Sequence, residues 1–93
     1  MSGTANSKVF LENDKVIVTE WRMAPGSNTG WHRHGHDYVV VPLVDGKVKL
    51  ETKEGSGFAE NKKGVPYFCN EGVEHDVINT GAGEYVFIEI ELK

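Results

Sequence analysis

His32, His34, His36 and His75 are the residues of this chain best suited to chemistry, and three of them fall in one stretch, Gly26-Ser-Asn-Thr-Gly-Trp-His32-Arg-His34-Gly-His36-Asp37-Tyr38. Residues i and i+2 of a strand project from one face, so His32 and His34 offer two imidazoles side by side. They become a chelating site once a third ligand arrives from elsewhere in the fold. Imidazole is the commonest metal ligand, and His32, His34 and His75 with open positions beside them suit Fe, Ni, Zn, Mn or Co without selecting among these. His36 shares the parity of the pair. In a continuous strand, however, it would lie about 13 Å from His32, too far to share an ion. Gly35 marks a turn after His34, which makes His36 a rim residue and a less favoured contact. Asp37 is one residue out of step and faces away.

Positioning these groups falls to strands. Alternating and β-branched segments are predicted at 8–12, 15–24, 31–33, 38–44, 47–53, 58–62, 65–68, 74–79 and 84–92, and no segment has a helical period. Asn13-Asp14, Pro25-Gly26, Asp45-Gly46, Gly55-Ser56-Gly57 and Gly81-Ala82-Gly83 supply turns between them. In the last strand Val86, Ile88, Ile90 and Leu92 share one face, and Tyr85, Phe87, Glu89 and Glu91 the other. Many short strands without a helix imply a sandwich or barrel. Residues 1–6 read as a loose N-terminus and 7–93 as a single domain.

With 93 residues and a single cysteine, the chain has a thin core and no disulfide framework, so stability must draw on packing, bound metal or a subunit interface. A net charge of −4 with scattered basic residues excludes a nucleic-acid surface, and no run suits a secretory signal or a membrane span. A cytoplasmic protein is the expectation. Cys69, between Phe68 and Asn70, reads as an inert thiol. Trp21 reads as core, and Arg22 and Arg33 as surface residues able to orient a substrate carboxylate only if they reach the site.

The spacing resembles the cupin superfamily. Gly26, five residues, His32-Arg33-His34, three residues and Tyr38 follow the first cupin motif, with Gly46 one residue late. Gly64, Asn70, Gly72, His75 and Asn79 follow the second, with Asn70 in place of proline. The stretches 9–14, Thr19-Glu-Trp-Arg22, Trp31-His-Arg-His34 and Asp37-Tyr-Val-Val-Val-Pro-Leu43 are similar to small single-domain cupins described as β-alanine degradation proteins. The resemblance implies an all-β, double-stranded β-helix (jelly-roll barrel) and a metal held by His32, His34 and His75. Tyr38 stands where cupins usually place a glutamate ligand. It either hydrogen-bonds to a bound water or substrate or packs to close the pocket. Without that carboxylate, three neutral imidazoles leave a doubly charged centre that favours an anionic, small-molecule substrate. The implied activity is that of a metal-dependent enzyme, dioxygenase-, decarboxylase- or isomerase-like, on a small carboxylate or carbonyl compound; the alternative is a binding or sensing module without turnover. Apolar residues on both faces of the terminal strand imply a homodimer, to which the strand near Lys8–Glu12 could cross.

Overall fold

A computed structural model describes residues 4–93. Nine strands follow in chain order: β1 (Asn6–Glu12), β2 (Val16–Met23), β3 (His32–Arg33), β4 (Asp37–Pro42), β5 (Gly46–Thr52), β6 (Gly55–Asn61), β7 (Tyr67–Cys69), β8 (Glu74–Asn79) and β9 (Tyr85–Leu92). They form two antiparallel sheets, one of order β1-β2-β9-β4-β7 and one of order β3-β8-β5-β6. The all-β architecture expected from the alternation, and the jelly-roll barrel that the resemblance implies, are the fold observed.

Period-2 alternation decides what lies inside. Met23, Tyr38, Val40, Val48, Tyr85 and Phe87 form the buried cluster, with Trp21, Leu50, Cys69 and Val77 packed against it. Trp21 stacks on Phe87 with ring centroids 6.4 Å apart. Gly46 is required by close approach: a Cβ there would overlap the buried Tyr85 ring. Asn79, the end of the second motif, is a structural clamp. Its amide nitrogen donates to the carbonyls of Met23 (2.8 Å) and Gly83 (3.0 Å), and its oxygen accepts from the Gly81 N–H (2.9 Å).

Two expectations are corrected. Gly55 and Gly57 belong to β6 and are not turn residues; the reversal is Lys53-Glu54, with Thr52 opposite Gly55 and the Thr52 hydroxyl donating to the Gly55 carbonyl at 2.9 Å. Of the N-terminal segment 1–6 expected to be loose, residues 1–3 lie outside the described residues and residues 4–6 are tied to the domain. Thr4 bridges to Asn28, Ala5 is buried, its N–H donates to the Asn28 carbonyl (2.9 Å), and Asn6 opens β1. The strand expected near Lys8–Glu12 is β1, which pairs with β2 from Asn6–Arg22 to Glu12–Ile17.

Candidate metal centre

Antiparallel pairing of β3 with β8 sets His32 directly opposite His75. His34 lies just past the end of β3, where its N–H donates to the Val73 carbonyl (2.9 Å) and its own carbonyl accepts from Gly72 (2.8 Å). Two imidazoles from one short stretch thereby converge with a third from 41 residues further along the chain. Nε2 of His34 lies 2.9 Å from Nε2 of His32 and 3.2 Å from Nε2 of His75. The rings meet edge to face, with centroids 4.6 to 5.1 Å apart.

Contacts on the far sides of the rings fix which nitrogens are free. Nδ1 of His32 donates to the Gly30 carbonyl at 2.7 Å. That carbonyl is aimed by the left-handed turn at Gly30 (φ 85°) and by Asp76, whose carboxylate accepts from the Gly30 N–H (3.0 Å) and the Asn28 amide. Nδ1 of His34 faces the Glu89 carboxylate at 3.4 Å, where both side chains are 8% exposed. A neutral imidazole carries one proton, so with Nδ1 as donor each Nε2 presents a lone pair. The lone pairs of His32 and His34 then point at each other across 2.9 Å, which is repulsive unless a cation lies between them. Nitrogens bound about 2.1 Å from one ion are separated by about 3.0 to 3.4 Å, close to the spacing found. The group therefore fits a metal ion. Burial, reinforced by the proximity of the His32 and His34 imidazoles, pushes the His75 imidazole down to about 4, so it is neutral at physiological pH.

Tyr38 lies under the cluster, its ring stacked on His34 with centroids 3.9 Å apart. It is 2% exposed, and among the described residues its hydroxyl has no hydrogen-bond partner. Burial, then the neighbouring Cys69 thiol, then Glu89 push the phenol far above its ordinary value, so it remains a protonated donor. Burial likewise raises the Cys69 thiol, as expected of an inert cysteine. His36 is outside the cluster, half-buried in the bend before β4. Asp37 is exposed and accepts from the Glu71 N–H at 2.7 Å. Arg22 is bound on the surface by Glu20 and Glu84.

A cavity of about 410 Å³ opens on the three histidines, walled largely by apolar residues with Tyr38, Asn61, Tyr67 and Tyr85 among its polar groups. Glu89 is its one carboxylate, and among the described residues no lysine or arginine lines it. Glu89 and Asp76 are the residues that sequence reading missed. The signal for Glu89 was a carboxylate on the same face of the strand as the aromatic residues Tyr85 and Phe87.

The β-alanine degradation protein BauB of Pseudomonas aeruginosa is 60% identical over 85 residues, covering 91% of this chain and 90% of that protein. The chain belongs to the BauB family of cupins. The crystal structure of a cupin domain from Bordetella pertussis Tohama I superposes on it with a TM-score of 0.97 at 52% identity, covering 100% of this chain and 97% of that one. The oxalate-binding protein of Thermotoga maritima is 27% identical over 90 residues, covering 90% of this chain and 68% of that protein. No protein-family model matches the chain. As a cupin of the BauB family it keeps the three-histidine cluster while placing Tyr38 at the motif's glutamate position, and the buried carboxylate beside the histidines comes from β9.

No helix among the described residues is long and apolar enough to cross a membrane.

Proposed function

We propose that this cupin holds a divalent transition metal through His32, His34 and His75 and acts as a metal-dependent enzyme on a small carboxylate or carbonyl compound. The observation that carries the reading is the 2.9 Å approach of two Nε2 atoms whose rings are both engaged through Nδ1. A bound divalent ion supplies Lewis acidity and, as iron, access to O₂ chemistry; nickel, zinc, manganese and cobalt suit the same donors. The protein's own part is positional. The Gly30 carbonyl and Glu89 orient two imidazoles, and the apolar wall excludes water. The unpaired Tyr38 hydroxyl donates to an oxygen of the bound compound. Lacking a cationic side chain, the cavity leaves an anionic head only the metal as its positive partner, while the apolar wall suits a compact hydrocarbon body. A cytoplasmic setting is part of the proposal, and a single free thiol suits it.

Metal content of purified protein, wild type against His75→Ala, tests the site. Near-stoichiometric metal that the variant loses is the expected result, and no metal under any loading condition overturns it. Binding without turnover is the second reading, supported by the description of the Thermotoga relative as oxalate-binding. O₂ consumption and product analysis with small keto and amino acids separate the two.

A further inference from the structure

The cavity has a second polar end that the metal does not use. Asn61, the last residue of β6, and Tyr85, the first of β9, meet across the two sheets, and the Asn61 amide nitrogen donates to the Tyr85 hydroxyl at 2.8 Å. Tyr67, from the edge strand β7, joins them on the cavity wall. Burial raises its phenol, and the Asn61 side chain beside it opposes part of that rise. Register sets the group toward the opposite end of the barrel from the histidines. Along β9, Tyr85 precedes Glu89 by four residues, or about 13 Å. On the other sheet, His75 precedes Asn79 by the same interval; Asn79 faces Val48, and Asn61 faces Gly46, which lies further still from the histidines. Between the two ends the wall is apolar, with Val48, Leu50, Val77 and Phe87 among its residues.

Hydrogen-bonding capacity at this end exceeds what the protein uses. An amide side chain offers two donors and an acceptor oxygen, and a phenol donates as well as accepts. The Tyr85 hydroxyl accepts from Asn61, so its own proton remains to be given, and among the described residues no acceptor receives it. Charge is missing there. Glu89 is the one carboxylate of the cavity and is engaged with Nδ1 of His34, and among the described residues no lysine or arginine lines the wall. An ammonium or a second carboxylate lodged beside Asn61 would be buried without a counter-charge, which is costly, whereas a neutral polar group would be fully matched.

We infer that the compound whose carboxylate meets the metal is bifunctional, with a neutral amide at its other end held by Asn61, Tyr67 and Tyr85 and a short hydrocarbon spacer along the apolar wall. The inference rests on the metal-dependent reading and narrows its substrate class. Size supports it. At about 30 Å³ for each water-sized group, the cavity of about 410 Å³ holds about a dozen non-hydrogen atoms, so the smallest acids would leave most of it unfilled. An extended five-carbon acid amide, with one metal bond and one hydrogen bond at its ends, reaches about 12 Å, comparable to the strand interval between Glu89 and Tyr85.

The test titrates the cobalt-loaded full chain with three acids, each followed through the visible spectrum of the metal. They are the monoamide of glutaric acid, its isostere with an isopropyl end in place of the amide, and an acid of similar length with an ammonium end. The amide is expected to bind about tenfold or more tightly than either of the others, because the isostere displaces water from Asn61 and the tyrosines without replacing its hydrogen bonds. Asn61→Leu should reduce that preference to about twofold or less, and Tyr67→Phe, at a 41% exposed position, should lower it about threefold, while both leave the affinity for the isostere unchanged. If Asn61→Leu fails to fold, Tyr67→Phe carries the comparison. Equal affinities for amide and isostere, tighter binding of the ammonium acid, or a preference that survives in the folded variants overturns the inference and leaves the metal reading standing. A cobalt spectrum that answers to none of the acids overturns both.

Discussion

Glu89, on the five-stranded sheet, meets His34, beside the four-stranded sheet, across the barrel interior at 3.4 Å. The contact is to Nδ1, the nitrogen turned away from the other imidazoles, so the carboxylate orients the ring and leaves Nε2 free. A carboxylate behind a ligating histidine fixes its tautomer and raises its basicity. Glu89→Gln keeps the shape and removes the charge. Metal affinity is expected to fall about 10- to 100-fold, measured by competition with a chromogenic chelator. An unchanged affinity would show that the contact is packing alone.

The Tyr38 hydroxyl is buried without a partner, an arrangement that costs stability in the free protein. Tyr38→Phe is therefore expected to unfold in urea at the same or a higher midpoint, by up to about 1 kcal/mol. Affinity of the metal-loaded protein for small carboxylates should fall about fivefold or more as the donor is lost. A clear loss of stability would mean that the hydroxyl has a partner in solution.

His75 gives the metal-free protein a pH dependence. Its folded value near 4 lies below the ordinary 6.5, so between these values the unfolded chain binds the proton and the folded chain does not. The stability contributed by its neutral form is complete above pH 6.5 and is lost as the pH falls toward 4. Denaturant midpoints in chelator at pH 7.5 and 5 should show a drop that His75→Gln reduces. Equal drops in both proteins would assign the effect elsewhere.

Gly46→Ala is expected to cost about 1 to 3 kcal/mol, because the added methyl overlaps the buried Tyr85 ring, which must be displaced. Thermal unfolding reads this directly, and a neutral result would mean that Tyr85 can shift.

The histidine cluster was legible because strand parity fixes where His32 and His34 point, and the second motif brought in His75. All nine strands were legible from alternation, with ends displaced by at most three residues. Glu89 was hidden because a Glu on a terminal strand looks like the wet half of an alternation; only its register with Tyr85 and Phe87 reveals a carboxylate turned inward. Asp76 acts through the backbone of a loop 46 residues earlier, a contact that no local pattern encodes. Gly55-Ser56-Gly57 was misplaced because glycine marks turns and strand irregularities alike, and here Thr52 fixes the reversal two residues earlier.

His34 and His75 are 41 residues apart in the chain yet touch through Nε2. An ion shared between them would close a loop of that length in any partly unfolded state that retained it. For a covalent link, the lost chain entropy of such a loop is worth about 4 kcal/mol. The protein has one cysteine and no disulfide. Coordination would then be its only cross-link, and the lifetime of the folded barrel would follow the rate at which that ion escapes.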